Sequence, residues 1–138
     1  MGRGGQLPGM NYVSDTHALV WLLEDDPQLS RRVAAIFSDP TARIVIPTIV
    51  LAELHFLYSR GRVAVELQRV FEYIANTSNA LTYPLDELVV SRLPTQLRIH
   101  DAIIVATGLV FRDVLNEPTA LLTQDSKIVA SGLIETVW

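Results

Sequence analysis

The sequence has no cysteine among its 138 residues, which excludes disulfide bridges and thiolate metal ligands. It also has no run of the roughly 18 apolar residues that a transmembrane helix requires. The longest apolar stretch, residues 44–57, is interrupted by Pro47, Thr48, Glu53 and His55. We therefore expect a cytoplasmic protein that does not insert into a membrane.

Motifs for nucleotide cofactors and for covalent catalysis are also missing. The chain contains no P-loop, no G-x-G-x-x-G fingerprint and no G-x-S-x-G nucleophile elbow, so we expect no nucleotide cofactor. Its three histidines are too scattered to predict a zinc site. We expect His17 and His55 to make packing or partner contacts, whereas the role of His100, next to Asp101, stays open.

Basic residues are fewer than acidic ones. The chain has 11 Lys and Arg against 15 Asp and Glu, and its formal net charge is −4. This balance counts against a nucleic-acid binder, which is usually basic, unless several acids lie in one metal site where cations offset them. Lys127 is the only lysine, and the other basic residues counted are arginines. Arginine can bind phosphate through planar, bidentate contacts, although it is also an ordinary surface cation.

The composition is that of one folded domain. Apolar residues make up 49% and charged residues 19% of the chain, which together with its length predicts a single hydrophobic core. Residues 1–9, MGRGGQLPG, contain four glycines and no apolar segment of the signal-peptide kind. We interpret them as an added leader or a disordered arm that precedes one folded domain at residues 10–138.

Hydrophobic periodicity predicts strands that alternate with helices. The predicted strands are residues 11–14, 43–46, 80–83, 119–123 and 134–138, and the predicted helices are residues 17–23, 31–37, 47–59, 63–75, 86–92, 95–111 and 126–130. Such alternation is typical of an α/β domain with a mostly parallel sheet between helices on both faces. In these sheets ligands bind beyond the carboxyl ends of the strands, near the point where the strand order reverses.

Two aspartates follow predicted strands. Asp15 comes after residues 11–14 and Asp125 after residues 119–123, and each precedes a helix. Either could simply cap its helix, a common role for aspartate at this position. Two parallel strands would, however, bring both carboxylates to the same edge of the sheet, which favours a shared site.

Two further acids interrupt apolar helix patterns. Glu53 has only apolar residues three and four positions away, and Asp101 has three apolar residues and Arg98 at these spacings. A carboxylate in apolar surroundings is costly unless it is paired or bound to metal. The alternatives are an arginine partner for Glu53 on a neighbouring helix and, for Asp101, a local pair with Arg98 near the helix start.

Asp15, Glu53, Asp101 and Asp125 together predict one acidic site. Crowded carboxylates repel one another unless cations offset their charge. Hard oxygen ligands without cysteine select Mg²⁺ or Mn²⁺ over softer metals. One or two such ions can activate water and stabilise the leaving oxygen of a phosphodiester, so we expect these four residues to be both metal ligands and catalytic groups.

The sequence resembles the PIN-domain nucleases, particularly the VapC-type toxins of toxin–antitoxin pairs, from residue 12 to residue 138. The resemblance rests on the order and spacing of YVSDTHALVWLL, VLAELHFL, IHDAIIVATGLV, and ALLTQDSKI followed by LIETVW. It implies a three-layer α/β/α fold with a mostly parallel five-stranded sheet, close to the flavodoxin-like type. It also implies an endoribonuclease that depends on Mg²⁺ or Mn²⁺, a homodimer, and a cognate antitoxin whose C-terminal segment occupies the groove.

Site residues follow from the same resemblance. The four acidic positions of the family fall on Asp15, Glu53, Asp101 and Asp125, and supporting hydroxyl groups that orient carboxylates or water fall on Thr16 and Thr123. Arg98 departs from relatives that carry a further acid there, and Ser126 and Lys127 depart from relatives with another polar or acidic residue. These extra basic groups could change metal occupancy or substrate binding, but the four acids are intact.

The antitoxin implied by the resemblance leads to a more specific expectation. An antitoxin arginine would make bidentate contacts with two of the carboxylates. Apolar antitoxin residues would pack beside Phe56 and Tyr58, unless Phe56 is an interior residue.

Other functions explain the acids less well. A phosphatase of the haloacid-dehalogenase kind needs a second acid two residues after the first, where His17 stands, and a receiver domain needs paired acids near its first strand. Neither accounts for Glu53. The remaining alternative is a non-enzymatic module whose acidic groove receives an Arg-bearing partner, and such a module would show no metal-dependent cleavage.

Overall fold

The computed structural model describes residues 9–138. All of the predicted leader except Gly9 therefore lies outside the described residues, and the division at residue 10 remains a prediction. Among the helices of residues 9–138, none combines the length and the apolar character that a bilayer crossing requires.

A five-stranded parallel sheet forms the centre of the domain. Its strands are β1 (Asn11–Ser14), β2 (Arg43–Pro47), β3 (Ala80–Tyr83), β4 (Thr119–Leu122) and β5 (Thr136–Val137), in the order β3-β2-β1-β4-β5. Every neighbouring pair is parallel. The sheet lies between helices in three layers, which confirms the predicted α/β/α fold class.

Seven α-helices connect and flank the strands. They are α1 (Thr16–Leu23), α2 (Arg31–Ser38), α3 (Thr48–Ser59), α4 (Leu67–Ala75), α5 (Glu87–Ser91), α6 (Ile99–Leu109) and α7 (Ser126–Ser131) in the described part of the chain. A π-helical turn, Val110–Val114, continues α6. Ser30 caps α2 by accepting a hydrogen bond from the Val33 amide at 3.0 Å, as the sequence predicts.

Two predicted helices begin later than the hydrophobic pattern indicates. The helix predicted at residues 63–75 begins at Leu67, because the preceding residues form a loop in which Val65 is buried against the core. The helix predicted at residues 95–111 begins at Ile99, since the amide of Leu97 donates to the Pro94 carbonyl and Arg98 is extended. Apolar residues in both loops contact the core, so periodicity alone extended the helices too far.

Helix α6 packs against the middle of the sheet, and a glycine permits its close approach there. A Cβ atom on Gly108 would lie 2.7 Å from Cδ1 of Ile134 and 2.8 Å from Cδ1 of Leu121. Seven consecutive residues of α6, from position 102 to position 108, are buried. The helix is therefore held firmly in place, and its first turn carries Asp101 at a fixed distance from the strand ends.

The strand order reverses between β1 and β4. The chain runs outward from β1 through β2 to β3, and then crosses back to β4 on the other side of β1. The carboxyl ends of β1 and β4 are in register, with Ser14 paired to Leu122. This is the point at which α/β sheets of this type open a crevice for ligands.

Candidate active site

A cleft of about 310 Å³ opens where β1 and β4 end. Asp15 follows β1, Asp125 follows β4, Glu53 lies on α3 and Asp101 lies in the first turn of α6. All four acids line this cleft, together with Thr16, His17, Arg98, Ile99, His100, Ile104 and Ile128. Four separate elements of the fold therefore bring their carboxyl groups to one edge of the sheet.

Asp15 and Asp125 cap the helices that follow them and also line the cleft. The amide of Ala18 donates to Oδ1 of Asp15 at 2.8 Å. The amides of Lys127 and Ile128 donate to Oδ1 of Asp125 at 2.9 and 3.1 Å. The capping alternative is thus correct for both residues. These capping bonds use only Oδ1 of each carboxyl group.

Thr123 connects the two aspartates. Its hydroxyl is buried and accepts a hydrogen bond from the Asp125 amide at 3.0 Å. Burial raises the pKa of Asp15, and the Thr123 hydroxyl and the Ala18 amide oppose this increase by hydrogen bonding to the carboxyl group. Thr123 lies behind the acids and does not line the cleft itself.

Thr16 holds Glu53 in position. The Thr16 hydroxyl, on a residue that is 2% exposed, donates to Oε1 of Glu53 at 2.7 Å. No arginine within residues 9–138 forms an ion pair with Glu53, so the predicted alternative of an arginine partner is wrong. One of the four apolar neighbours of Glu53 on the helix, Phe56, is 57% exposed, so this face is not entirely interior.

Burial and neighbouring charges shift the pKa of Asp101. Burial raises the pKa of this carboxyl group, the charges of Asp125 and Glu53 raise it further, and Arg98 and His100 lower it. Arg98 is not within ion-pair distance of Asp101 in the described structure. The local pair considered from the sequence is therefore only a longer-range attraction, and the repulsion from two other acids remains.

The donor set fits a hard divalent cation. Four carboxyl groups line one cleft of a chain that has no cysteine, and the pKa of one of them, Asp101, is raised by burial and by its acidic neighbours. Across residues 9–138, no three His, Asp or Glu side chains stand close enough together to be a ready-made ligand set. Mg²⁺ is usually held by one or two carboxylates and keeps several waters as its other ligands, so it does not need such a set.

Basic residues also line the cleft, and the sequence pattern did not predict all of them. Arg98 and His100 line its rim beside Asp101, so His100 faces the groove. His17, expected to make packing or partner contacts, is exposed and lines the cleft while it also packs on Trp21. The signal was available, because His17 lies two residues after a strand-end aspartate in the first turn of α1.

Other proteins of known structure share this fold. A chain of VapBC2 from Rickettsia felis, in a structure bound to a DNA fragment from the promoter, aligns with a TM-score of 0.63 and 17% identity, covering 94% of this chain and 99% of that one. A chain of VapBC-1 from nontypeable Haemophilus influenzae aligns with a TM-score of 0.56 and 20% identity, covering 93% and 97%. No curated protein sequence matches significantly. The PIN domain family, however, matches residues 12–130, a range that contains all four acids, β2, β3 and β4, and β1 apart from its first residue. The chain therefore belongs to the PIN-domain family of nucleases.

Proposed function

We propose that this protein is an endoribonuclease that depends on Mg²⁺ or Mn²⁺. The observation that carries the proposal is the convergence of Asp15, Glu53, Asp101 and Asp125 on one cleft at the strand reversal. A site that only capped helices would need Asp15 and Asp125, but not Glu53 or Asp101. Membership of a nuclease family supports phosphodiester hydrolysis as the chemistry of this cleft.

Each acid has a defined part in holding the cation. When bound, the metal supplies an activated water and stabilises the leaving oxygen of the phosphodiester. Asp15 and Asp125 keep one oxygen on backbone amides, which fixes the orientation of each carboxyl group. Glu53 is oriented by the Thr16 hydroxyl and Asp15 by the Thr123 hydroxyl. Asp101 completes the set from the rigid α6.

Arg98 supplies positive charge to the cleft for the substrate. It lines the cleft three residues before Asp101. Arg98 can donate to a phosphate in a planar, bidentate manner. A guanidinium beside the acidic centre gives an anionic substrate a favourable contact on a chain whose net charge is −4.

We also propose that the protein is the toxin of a toxin–antitoxin pair, and that it forms a homodimer. The support is the likeness of the fold to chains from two VapBC structures, which are toxin–antitoxin complexes. An antitoxin arginine would contact two of the carboxylates in place of metal. On α3, Phe56 is 57% exposed and Tyr58 is exposed as well, so both are available to apolar antitoxin residues.

A cleavage assay tests the nuclease proposal. Purified protein is incubated with total RNA in Mg²⁺, in Mn²⁺ and in EDTA, and Asp101→Asn is the matched variant. We expect cleavage only with metal and only in the wild type. An absence of cleavage by wild-type protein in both metals would instead support a non-enzymatic acidic groove that binds an Arg-bearing partner.

The antitoxin proposal has its own test. The C-terminal arginine of a cognate antitoxin is replaced by alanine, and the complex is assayed at high Mg²⁺. We expect cleavage to return while most of the complex stays assembled. If the mutant complex remains inactive, or if no co-expressed partner reduces cleavage, the antitoxin proposal is wrong although the nuclease proposal can stand.

A further inference from the structure

A second cleft adjoins the acidic one and has a different chemical character. It measures about 360 Å³ and is lined by Asp15, His17, Trp21, Gln124, Asp125 and Ser126. Asp15, His17 and Asp125 line both clefts, so the two adjoin at these residues. A ligand whose charged group lies at the acids is therefore next to the aromatic side of this second cleft.

His17, Trp21 and Trp138 form a row of aromatic rings, the aromatic row. The ring centroids of His17 and Trp21 are 5.4 Å apart at an angle of 48°, and those of Trp21 and Trp138 are 5.8 Å apart at 72°. Trp21 and Trp138 pack against the hydrophobic core, whereas His17 is exposed. The exposed imidazole is thus supported by rings that the core holds in place.

Core packing explains only part of this arrangement. It accounts for the two tryptophans, but it gives no reason for an exposed ring beside two carboxyl groups. Gln124 and Ser126 are exposed at the same cleft, and each side chain provides both a hydrogen-bond donor and an acceptor. A ligand that fits has a flat face for the rings, polar edges for Gln124 and Ser126, and an attached group that reaches the acids.

We propose that this second cleft binds one unpaired base of the RNA next to the phosphate that is cleaved, with the base stacked on His17 and Trp21. The proposal rests on the ribonuclease function proposed above. Unpaired bases of single-stranded RNA stack on aromatic and histidine side chains and present their edges for hydrogen bonding. A nucleotide joins a base directly to a phosphate, so one nucleotide can place its phosphate at the acids and its base in the adjoining cleft.

Tryptophan fluorescence reports on the second cleft, because Trp21 and Trp138 are the only tryptophans in the chain. The probes are a short single-stranded RNA and an RNA backbone of the same length with abasic residues. Both are titrated into full-length protein carrying Asp101→Asn, which keeps the RNA uncleaved. We expect the RNA to quench the fluorescence and the abasic backbone to leave it nearly unchanged. Trp138→Phe should retain the quenching, which assigns it to Trp21.

Two substitutions at His17 separate stacking from charge. His17→Ala should weaken RNA binding about 5- to 150-fold, the range that removal of a stacking ring causes. His17→Phe keeps a ring without the imidazole charge and should bind RNA nearly as well as histidine. In the cleaving enzyme, His17→Ala should raise KM more than it lowers kcat.

Several outcomes would overturn the base-binding proposal while leaving the nuclease intact. They are equal quenching by the abasic backbone, unchanged binding by His17→Ala, and a phenylalanine variant that binds as weakly as alanine. The last result would mean that the imidazole charge, not stacking, holds the RNA. Failure of the wild type to cleave RNA with either metal would refute the ribonuclease function itself, and the base-binding proposal with it.

Discussion

Replacing Thr16 with valine tests how the protein positions Glu53. Valine has nearly the shape of threonine, so the buried site stays filled while the 2.7 Å hydrogen bond to Oε1 of Glu53 is lost. Hydrogen bonds to charged groups contribute about 1.5–3 kcal/mol. Glu53 is partly exposed, so water can replace part of the lost bond, and we expect a loss of about 1–2 kcal/mol of unfolding free energy.

The effect on metal binding should exceed the effect on folding. Groups that orient a metal ligand typically change metal affinity about 10- to 100-fold when they are removed. We therefore expect Thr16→Val to weaken Mn²⁺ binding by about that factor. Titration calorimetry with Mn²⁺ measures the affinity, and thermal unfolding in EDTA measures the stability, where the loss corresponds to roughly 3–8 °C in Tm.

Thr16→Ser is the matched control because it keeps the hydroxyl and removes only a methyl group. It should bind Mn²⁺ nearly as well as the wild type, even if the missing methyl group lowers Tm. Equal Mn²⁺ affinity in the valine variant and the wild type would refute the argument that this hydroxyl orients Glu53 for metal. A serine variant as weak as valine would show that packing, not the hydrogen bond, matters at this position.

Two further predictions concern stability. The pKa of Asp101 is raised in the folded state, so folded protein binds more protons than unfolded protein between the ordinary and the raised pKa, and stability falls as pH increases through that interval. Asp101→Asn should therefore keep or raise Tm at neutral pH in EDTA, with no such gain below the ordinary pKa. A large loss of Tm would contradict this sign, and the same loss in Arg98→Ala would assign it to a pair between Asp101 and Arg98. Gly108→Ala should lower the free energy of unfolding by about 1 kcal/mol, because overpacking against Ile134 and Leu121 outweighs the gain in helix propensity. Ile134→Val should reduce that loss. Urea unfolding of the single and double variants measures both effects.

The sequence predicted the architecture well because its strongest signals are local. The strand of residues 11–14 coincides with β1, and the one of residues 80–83 coincides with β3. The alternation of short β-branched stretches with amphipathic helices led directly to a parallel sheet, and the structure confirms it. Helix starts were less predictable, since apolar residues such as Val65 and Leu97 pack on the core from loops and imitate a helical stripe.

The site was only partly predictable. A sequence pattern shows where a residue lies in a strand or helix, but it does not show which distant residues it contacts in the folded domain. Acids after parallel strands must come to one edge of the sheet, so Asp15 and Asp125 followed from topology. The partner of Glu53 did not, since its contact with Thr16 spans 37 positions and depends on how α1 packs against α3. For His17 the sequence carried part of the signal, its position two residues after Asp15, but the cleft that it lines beside Trp21 exists only in the folded domain.

Helix capping and metal binding are compatible roles for one aspartate, and Asp125 allows the two to be separated. The amides of Lys127 and Ile128 hold its Oδ1, which leaves the negative charge at the cleft. Asparagine caps a helix about as well as aspartate, whereas alanine costs about 0.5–2 kcal/mol. We therefore expect Asp125→Asn to retain the Tm of the metal-free protein and Asp125→Ala to have a lower Tm. Both variants should lose metal-dependent cleavage. Thermal unfolding in EDTA and RNA cleavage in Mg²⁺ measure the two effects independently. Full cleavage by the asparagine variant would show that Asp125 only caps α7, and an equal loss of stability in both variants would show that its charge supports the fold.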